Sequence, residues 1–318
     1  MGNSGSTAPA PLGKTHVPDL EWKVHDFSVL LETEATSASS TPFHCSGYKW
    51  CLQVTPKHNQ DDKGNPYVAL SLGISRICLE LGHTLHAEFE LSIFNHSKGM
   101  YCGSKASYNF NDKNMYSNKE CLIPLQELLK SSAFLVDDSC VFGVEILKID
   151  VSSPERKSVV VQKKATTVEN LFVQKKGFIK GTYTWTMNNF LELESQQFIR
   201  SPTFEVGGHK WYIGMYPHGD KRSTDYLSLA LCLDSSDELF IESRKVVQIT
   251  LSILDQKSGK YFTRTTGSAL PRNYQCKGWG WYNFLPLKEL KDMSRGYLIE
   301  SKCVLKADLT IFGSSNDG

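Results

Sequence analysis

The sequence predicts an all-β protein made of two tandem antiparallel β-sandwiches, each with one short helix. Three observations carry this. The chain repeats itself once, in unchanged order, at an offset of about 160 residues. Within each repeat, apolar residues alternate with their neighbours at period two, the mark of a half-buried strand. Turn-forming clusters separate the alternating runs, as in Pro217-His218-Gly219-Asp220 and Lys63-Gly64-Asn65-Pro66, and little helical periodicity lies between them.

Composition is consistent with this. At 318 residues there is room for two domains of ~150 residues. Apolar residues at 40% and charged residues at 22% support a sizeable core and exclude wholesale disorder. Lys and Arg number 35 against 34 Asp and Glu. So even a balance argues against a dedicated nucleic-acid binder. No apolar run approaches the ~20 residues of a membrane span.

Residues 1–16 are expected to form a disordered tail. Met1-Gly2-Asn3-Ser4-Gly5-Ser6 fits the M-G-x-x-x-[ST] pattern of N-myristoylation, so Gly2 is a lipidation candidate and the one expected route to a membrane. A single acyl chain holds a membrane only weakly. The tail lacks the apolar centre of a secretion signal. The nine Cys include no CxxC pair. Reduced thiols in a cytoplasmic protein, with the nucleus as the alternative, follow from these two features.

The elements of residues 17–150 and 178–313 match in order. "LEWKVHDF" answers "YTWTMNNF", aligning Trp22 with Trp185. "FHCSGYKWCL" answers "FEVGGHKWYI", and Trp50, Leu52 and Val54 share a face as Trp211, Ile213 and Met215 do. Val68, Leu70, Leu72 and Ile74 alternate, matched by Leu227, Leu229, Leu231 and Leu233. Ala87, Phe89, Leu91 and Ile93 follow, matched by Val247, Ile249, Leu251 and Ile253. Each repeat then has one helical piece, "PLQELLKSS" from Pro124 and "PLKELKDMS" from Pro286, with Pro in the first turn where it is tolerated. A last strand begins at Cys140 and at Cys303.

Residues 151–177 belong to neither repeat and are expected to be a linker. Residues 152–176 carry six bases and two acids. No aromatic platform accompanies those bases, so a solvated segment is favoured over a nucleic-acid patch, with Val159 to Val161 able to pack as an edge strand.

The order W-x-[IM]-x-x-F, S-x-x-F-x-x-x-G-x-x-W, Y-L-S-L and W-G-[FW]-x-x-F runs through "YTWTMNNF", "SPTFEVGGHKW", "YLSLALCL" and "GWGWYNFLPL". This combination resembles the MATH, or TRAF-homology, domain. The second repeat matches nearly every element. The first keeps Trp22, Phe27, Phe43, Gly47, Trp50 and Pro124 but has "MYSNKECLIPL" in place of the W-G-[FW] stretch. Tandem copies of this kind resemble the plant set of such proteins.

The resemblance implies eight-stranded sandwiches that bind extended peptide segments of other proteins in a shallow groove beside an edge strand. Main-chain hydrogen bonds would hold the peptide and side-chain pockets would select it. Carried over residue by residue, the aromatic groove wall keeps Trp279 and Trp281, while Ala230, Ile249 and the neighbourhood of Leu270 and Pro271 stand at its other positions. Trp279 and Trp281 lie two apart and share a face, so they divide between core and groove. Arg272 is a candidate to pair with an acidic or phosphorylated ligand. In the first repeat Phe89 alone survives of this wall, and Ser71, Ser117 and Lys119 occupy other wall positions. A degenerate groove is expected there.

Chemistry is not expected. His209 and His218 lie nine residues apart with no further ligand at zinc spacing, and the first repeat has Tyr48 and Lys57 in their places. His83 and His86, three apart, point to opposite faces of a strand. G-x-S-x-G, H-E-x-x-H and the phosphate-binding loop motif do not occur. Cys140 and Cys303 sit in apolar strands, as structural thiols do. The reading is therefore a non-catalytic adaptor without metal or cofactor. The alternatives are a fragment related to a MATH-containing deubiquitinase, whose Cys and His boxes are not found here, and a self-associating scaffold, homo- or hetero-oligomeric, though no sustained heptad supports one.

Overall fold

The computed structural model describes residues 9–12, 16–32, 36–59, 64–75, 78–79, 83–112, 114–152, 157–159, 165–174, 178–193, 195–219, 223–234, 245–268 and 278–317. Two compact units divide the chain. One comprises Met1–Lys175 with Gly313–Gly318, the other Lys176–Phe312.

The first unit begins with β1 (Leu20–His25) and the short helix α1 (Phe27–Glu32). It continues through β2 (Ala38–Ser39), β3 (Phe43–Cys45), β4 (Tyr48–His58), β5 (Tyr67–Ile74), β6 (Thr84–Asn95), β7 (Met100–Phe110) and β8 (Glu120–Pro124). Helix α2 (Leu125–Lys130) precedes β9 (Cys140–Ser152), β10 (Lys157–Val159) and β11 (Thr167–Val173). One sheet has the order β11-β1-β9-β6-β7, with β10 also on β9; the other runs β2-β4-β5-β8, with β3 on β4. Their inner faces meet in a core that contains Trp22, Trp50, Phe89, Phe110 and Phe142, none measurably exposed. Burying each such side chain stabilises the fold by roughly 1.5–3 kcal/mol.

Two expectations change here. Residues 9–12 and 16, assigned to a disordered tail, have defined places. The Gly103 N–H donates to the Ala10 carbonyl at 2.8 Å and the Leu12 N–H to the Tyr101 carbonyl at 2.9 Å, so residues 10–12 extend the sheet beyond β7. The segment expected to be a linker contains β11, paired in parallel with β1 from Leu20↔Thr167 to His25↔Phe172. Its Leu171 and Val173 are buried, and its Glu169, 1% exposed, accepts hydrogen bonds from the Thr41 N–H, the Thr41 hydroxyl and the Ser315 hydroxyl. The basic residues around β11 concealed this inward-facing set.

The second unit comprises β12 (Ile179–Met187), helix α3 (Phe190–Leu193), β13 (Ile199–Arg200), β14 (Phe204–Val206), β15 (His209–Tyr216), β16 (Tyr226–Leu233), β17 (Lys245–Asp255), β18 (Lys260–Ser268), β19 (Gly278–Pro286), helix α4 (Leu287–Leu290) and β20 (Cys303–Asp317). Strands β18, β17 and β20 follow one another in one sheet, and β12 flanks β20; the other sheet runs β13-β15-β16-β19, with β14 on β15. Residues 313–317 of β20 pair with β11 and belong to the first unit.

The duplicated motif is reproduced in detail. The Trp50 indole N–H donates to the Cys45 carbonyl at 3.2 Å, and the Trp211 indole N–H to the Val206 carbonyl at 3.1 Å. The Leu52 N–H reaches Ser40 Oγ at 3.0 Å, and the Ile213 N–H reaches Ser201 Oγ at 2.9 Å. Each unit also has a second short helix, α1 or α3, beyond the one expected. In both, a hairpin residue at positive φ caps the helix. The Phe27 N–H donates to the Asp138 carbonyl and the Ser28 N–H to Asp138 Oδ1, while Phe190 and Leu191 donate to the carbonyl and Oγ of Ser301.

Candidate peptide-binding edge of the second unit

Strand β19 pairs with β16 from Tyr226↔Pro286 to Cys232↔Gly278. It is last in its sheet, and no strand pairs with its other side among the described residues. A glycine between the two tryptophans is dictated by packing. A Cβ on Gly280 would lie 2.1 Å from the Leu229 carbonyl oxygen and 2.5 Å from the Ala230 Cα. Glycine lets β19 approach β16 closely and carry two indoles toward the same face.

Those indoles have different fates. Trp279 is fully buried and packs against Trp211 with ring centroids 5.7 Å apart. Trp281 packs at the margin of the same core and is only partly buried. Beyond it the register shifts between Leu227 and Leu229, so residues 282–284 of β19 bulge. Bulges of this kind re-aim side chains at sheet edges.

Arg264, on β18 opposite Leu251, reaches this bulge from the facing sheet. Its Nη1 donates to the Asn283 carbonyl at 2.7 Å and to Asn283 Oδ1 at 3.2 Å. Its guanidinium lies 5.4 Å from the centre of the Trp281 ring. Burial lowers the Arg264 pKa, and Tyr282 and Tyr226 oppose that shift. An arginine stays charged under such a shift. The result is a half-buried cation and a half-exposed indole beside an edge strand. Together they can offer apolar contact and charge-assisted hydrogen bonds to an extended ligand.

Not every expected groove residue lines this edge. Trp279 and Ile249 are 0% exposed in the second core, and Phe89 is 0% exposed in the first, so none can touch a ligand. Ile249 and Phe89 occupy inward positions of β17 and β6, where strand alternation sends every second side chain into the sandwich. Ala230 faces the opposite side of its sheet, in a small cluster with Tyr212, Cys232 and Phe198. Leu270, Arg272 and Gly2 lie outside the described residues. Arg264 carried no motif and emerged only from the pairing of β17 with β18.

In the first unit, Trp50 packs edge-on against Phe110 of β7 at 5.5 Å, so its ring partner comes from a strand other than the β19 counterpart. Ser117 is buried and accepts the Leu72 N–H through its Oγ, and Lys119 is exposed, with its pKa lowered by partial desolvation. This edge presents the Lys119 ammonium and, among its described residues, no indole.

The remaining sequence candidates are structural or peripheral. His218 is exposed and His209 half-exposed, at opposite ends of β15 and its turn. Cys140 and Cys303 are fully buried. Burial, aided by Asp138, raises the Cys140 pKa, and burial pushes the Cys303 thiol up to about 12. Neither is an activated nucleophile, which requires a lowered pKa. No described helix is long and apolar enough to cross a membrane.

Comparison with known proteins matches this architecture. A MATH domain family model covers residues 19–146 and 182–309. Ubiquitin C-terminal hydrolase 12 of Arabidopsis thaliana is 31% identical over 186 residues, which are 58% of this chain and 15% of that protein. TNF receptor-associated factor homolog 1b of the same plant is 35% identical over 133 residues, 39% of this chain and 12% of its own. A MATH domain and coiled-coil domain-containing protein, also from Arabidopsis thaliana, is 28% identical over 137 residues, 41% of this chain and 39% of its own. The chain thus spans less than half the length of each of these relatives. Among solved structures, TRAF5 of Notothenia coriiceps aligns over 41% of this chain and 72% of its own at 21% identity, with a TM-score of 0.34, too distant to bear on function. Two matched stretches that cover most of the sequence establish that this chain belongs to the MATH domain family of protein-interaction modules and carries the domain twice.

Proposed function

We propose that the chain is a non-catalytic adaptor whose second unit binds a short extended peptide of a partner protein along the free edge of β19. The observation that carries this reading is the half-exposed Trp281 beneath the Arg264 guanidinium, on a strand with one side unpaired among the described residues. The peptide adds as a strand, an apolar side chain covers Trp281, and a carboxylate or carbonyl meets the guanidinium. Membership of an interaction family supports an adaptor role. The burial of Cys140 and Cys303, which raises both thiol pKa values, argues against either as a nucleophile. The first unit, without an indole at its matching edge, serves mainly as scaffold.

Affinity capture with the full chain, followed by titration of the captured peptides, tests this. Trp281→Ala and Arg264→Ala are each expected to weaken binding at least about tenfold, the scale of an interface anchor, with the circular-dichroism spectrum unchanged. Trp279→Ala is unsuitable because it would hollow the core. Equal binding by wild type and both folded variants would remove β19 from consideration.

A further inference from the structure

We propose that His16, Glu90 and Glu145 form a divalent-cation site of the zinc class that clasps the N-terminal segment to the sheet of the first unit. His16 Nδ1 lies 2.7 Å from Glu90 Oε2 and 3.2 Å from Glu145 Oε2. The three donor atoms fall within 4.8 Å of one another. The side chains are 1%, 21% and 3% exposed, in that order. They come from three places in the chain: the segment before β1, strand β6 and strand β9.

The orientation of the imidazole is the central observation. Its Nε2 faces Ser92 Oγ at 3.2 Å. With the ring proton on Nε2 and donated to that hydroxyl, the Nδ1 lone pair points at two carboxylate oxygens. Three electron-rich atoms then converge on one small space, and a cation resolves the repulsion. A ring nitrogen held by a hydrogen bond at its far side is the usual arrangement of a metal-bound histidine. The Val17 N–H, donating to Glu145 Oε2 at 2.9 Å, fixes the buried carboxylate in the same way.

The dimensions fit. Ligands held ~2.0 Å from a tetrahedral ion lie ~3.3 Å apart. The Nδ1 to Glu145 distance already has that value within ~0.1 Å. Glu90 must retreat by ~0.6 Å, and it is the ligand at the rim with room to move. The same rim admits the ion and a water as fourth ligand. Tyr101 covers the imidazole at 5.2 Å between ring centres and gives its hydroxyl to Glu21 instead. In the second repeat Thr250 aligns with Glu90 and Asp308 with Glu145, and these pair with Thr265 and Thr182. One ion per chain is therefore expected.

Calorimetric titration of chelator-treated full chain with Zn2+ tests the site, together with the visible spectrum of the Co2+ form. Wild type should take up one Zn2+, and its Co2+ spectrum should have tetrahedral intensity. Amide exchange at Leu12 and Val17 should slow on binding. His16→Ala and Glu145→Gln should each weaken Zn2+ binding at least about tenfold. Because both are buried, Glu90→Gln at the rim serves as the variant that keeps the fold. No uptake by wild type, or equal uptake by wild type and Glu90→Gln, would overturn the proposal and leave His16 as a hydrogen-bonded bridge between two carboxylates.

Discussion

Trp50 and Trp211 show how much one side chain determines. Each fills a core, and each spends its indole N–H on the carbonyl of the short strand five residues earlier. Replacing Trp211 with Ala should therefore cost about 3–5 kcal/mol in a urea titration, as for large-to-small changes in other cores. Gly280→Ala should also destabilise, because its Cβ would meet backbone rather than a movable side chain. Cys303 makes a pH prediction. Its thiol pKa rises from 9.0 to about 12 on burial. Above pH ~9 the unfolded chain loses this proton while the folded chain keeps it, so stability falls with rising pH. The contribution is complete below pH 9.0 and is lost progressively up to about 12. Urea midpoints at about pH 8 and 10.5 should show a steeper loss for wild type than for Cys303→Ala. At this scale the period-two pattern was the better guide. It already placed Ile249 and Phe89 on inward faces, and the family's groove positions, carried over, contradicted it. Trp281 and Trp279 share a face, and only their distance from the rim separates them, which spacing does not encode.

At the scale of elements, the long strands were legible because their alternation runs over seven or more residues. The short helices α1 and α3 were not. The cap of α1 is supplied by Asp138, 110 positions from Ser28. Asp138→Ala should cost about 1–2 kcal/mol by removing this cap, measured by thermal unfolding. Strand β11 stayed hidden because its buried residues are few and one of them is a carboxylate. His16, Glu90 and Glu145 are equally invisible in sequence, since they sit 74 and 55 positions apart along the chain. Only the register of β6 against β9, with Glu90 opposite Glu145, brings the carboxylates together.

For the whole molecule, the duplication was readable at once because the same residue types recur in the same order. The distribution of the chain between the units was not. Glu169 lies in the stretch between the repeats and Ser315 beyond the second, and neither has a counterpart that would betray its use. Glu169→Ala would orphan the Thr41 N–H, the Thr41 hydroxyl and the Ser315 hydroxyl. A loss of about 2–3 kcal/mol is expected from these buried donors. It should fall on the first unit, with amide exchange in β1 accelerated and that in β16 unchanged.

The pairing of residues 313–317 with β11 also bears on the order of synthesis. Domains generally fold as they leave the ribosome, the first ahead of the second. Here the first unit acquires its last strand only after every residue of the second has been translated. Until then β11 presents an unpaired edge, and a nascent chain stalled before residue 313 would expose it to neighbouring polypeptides.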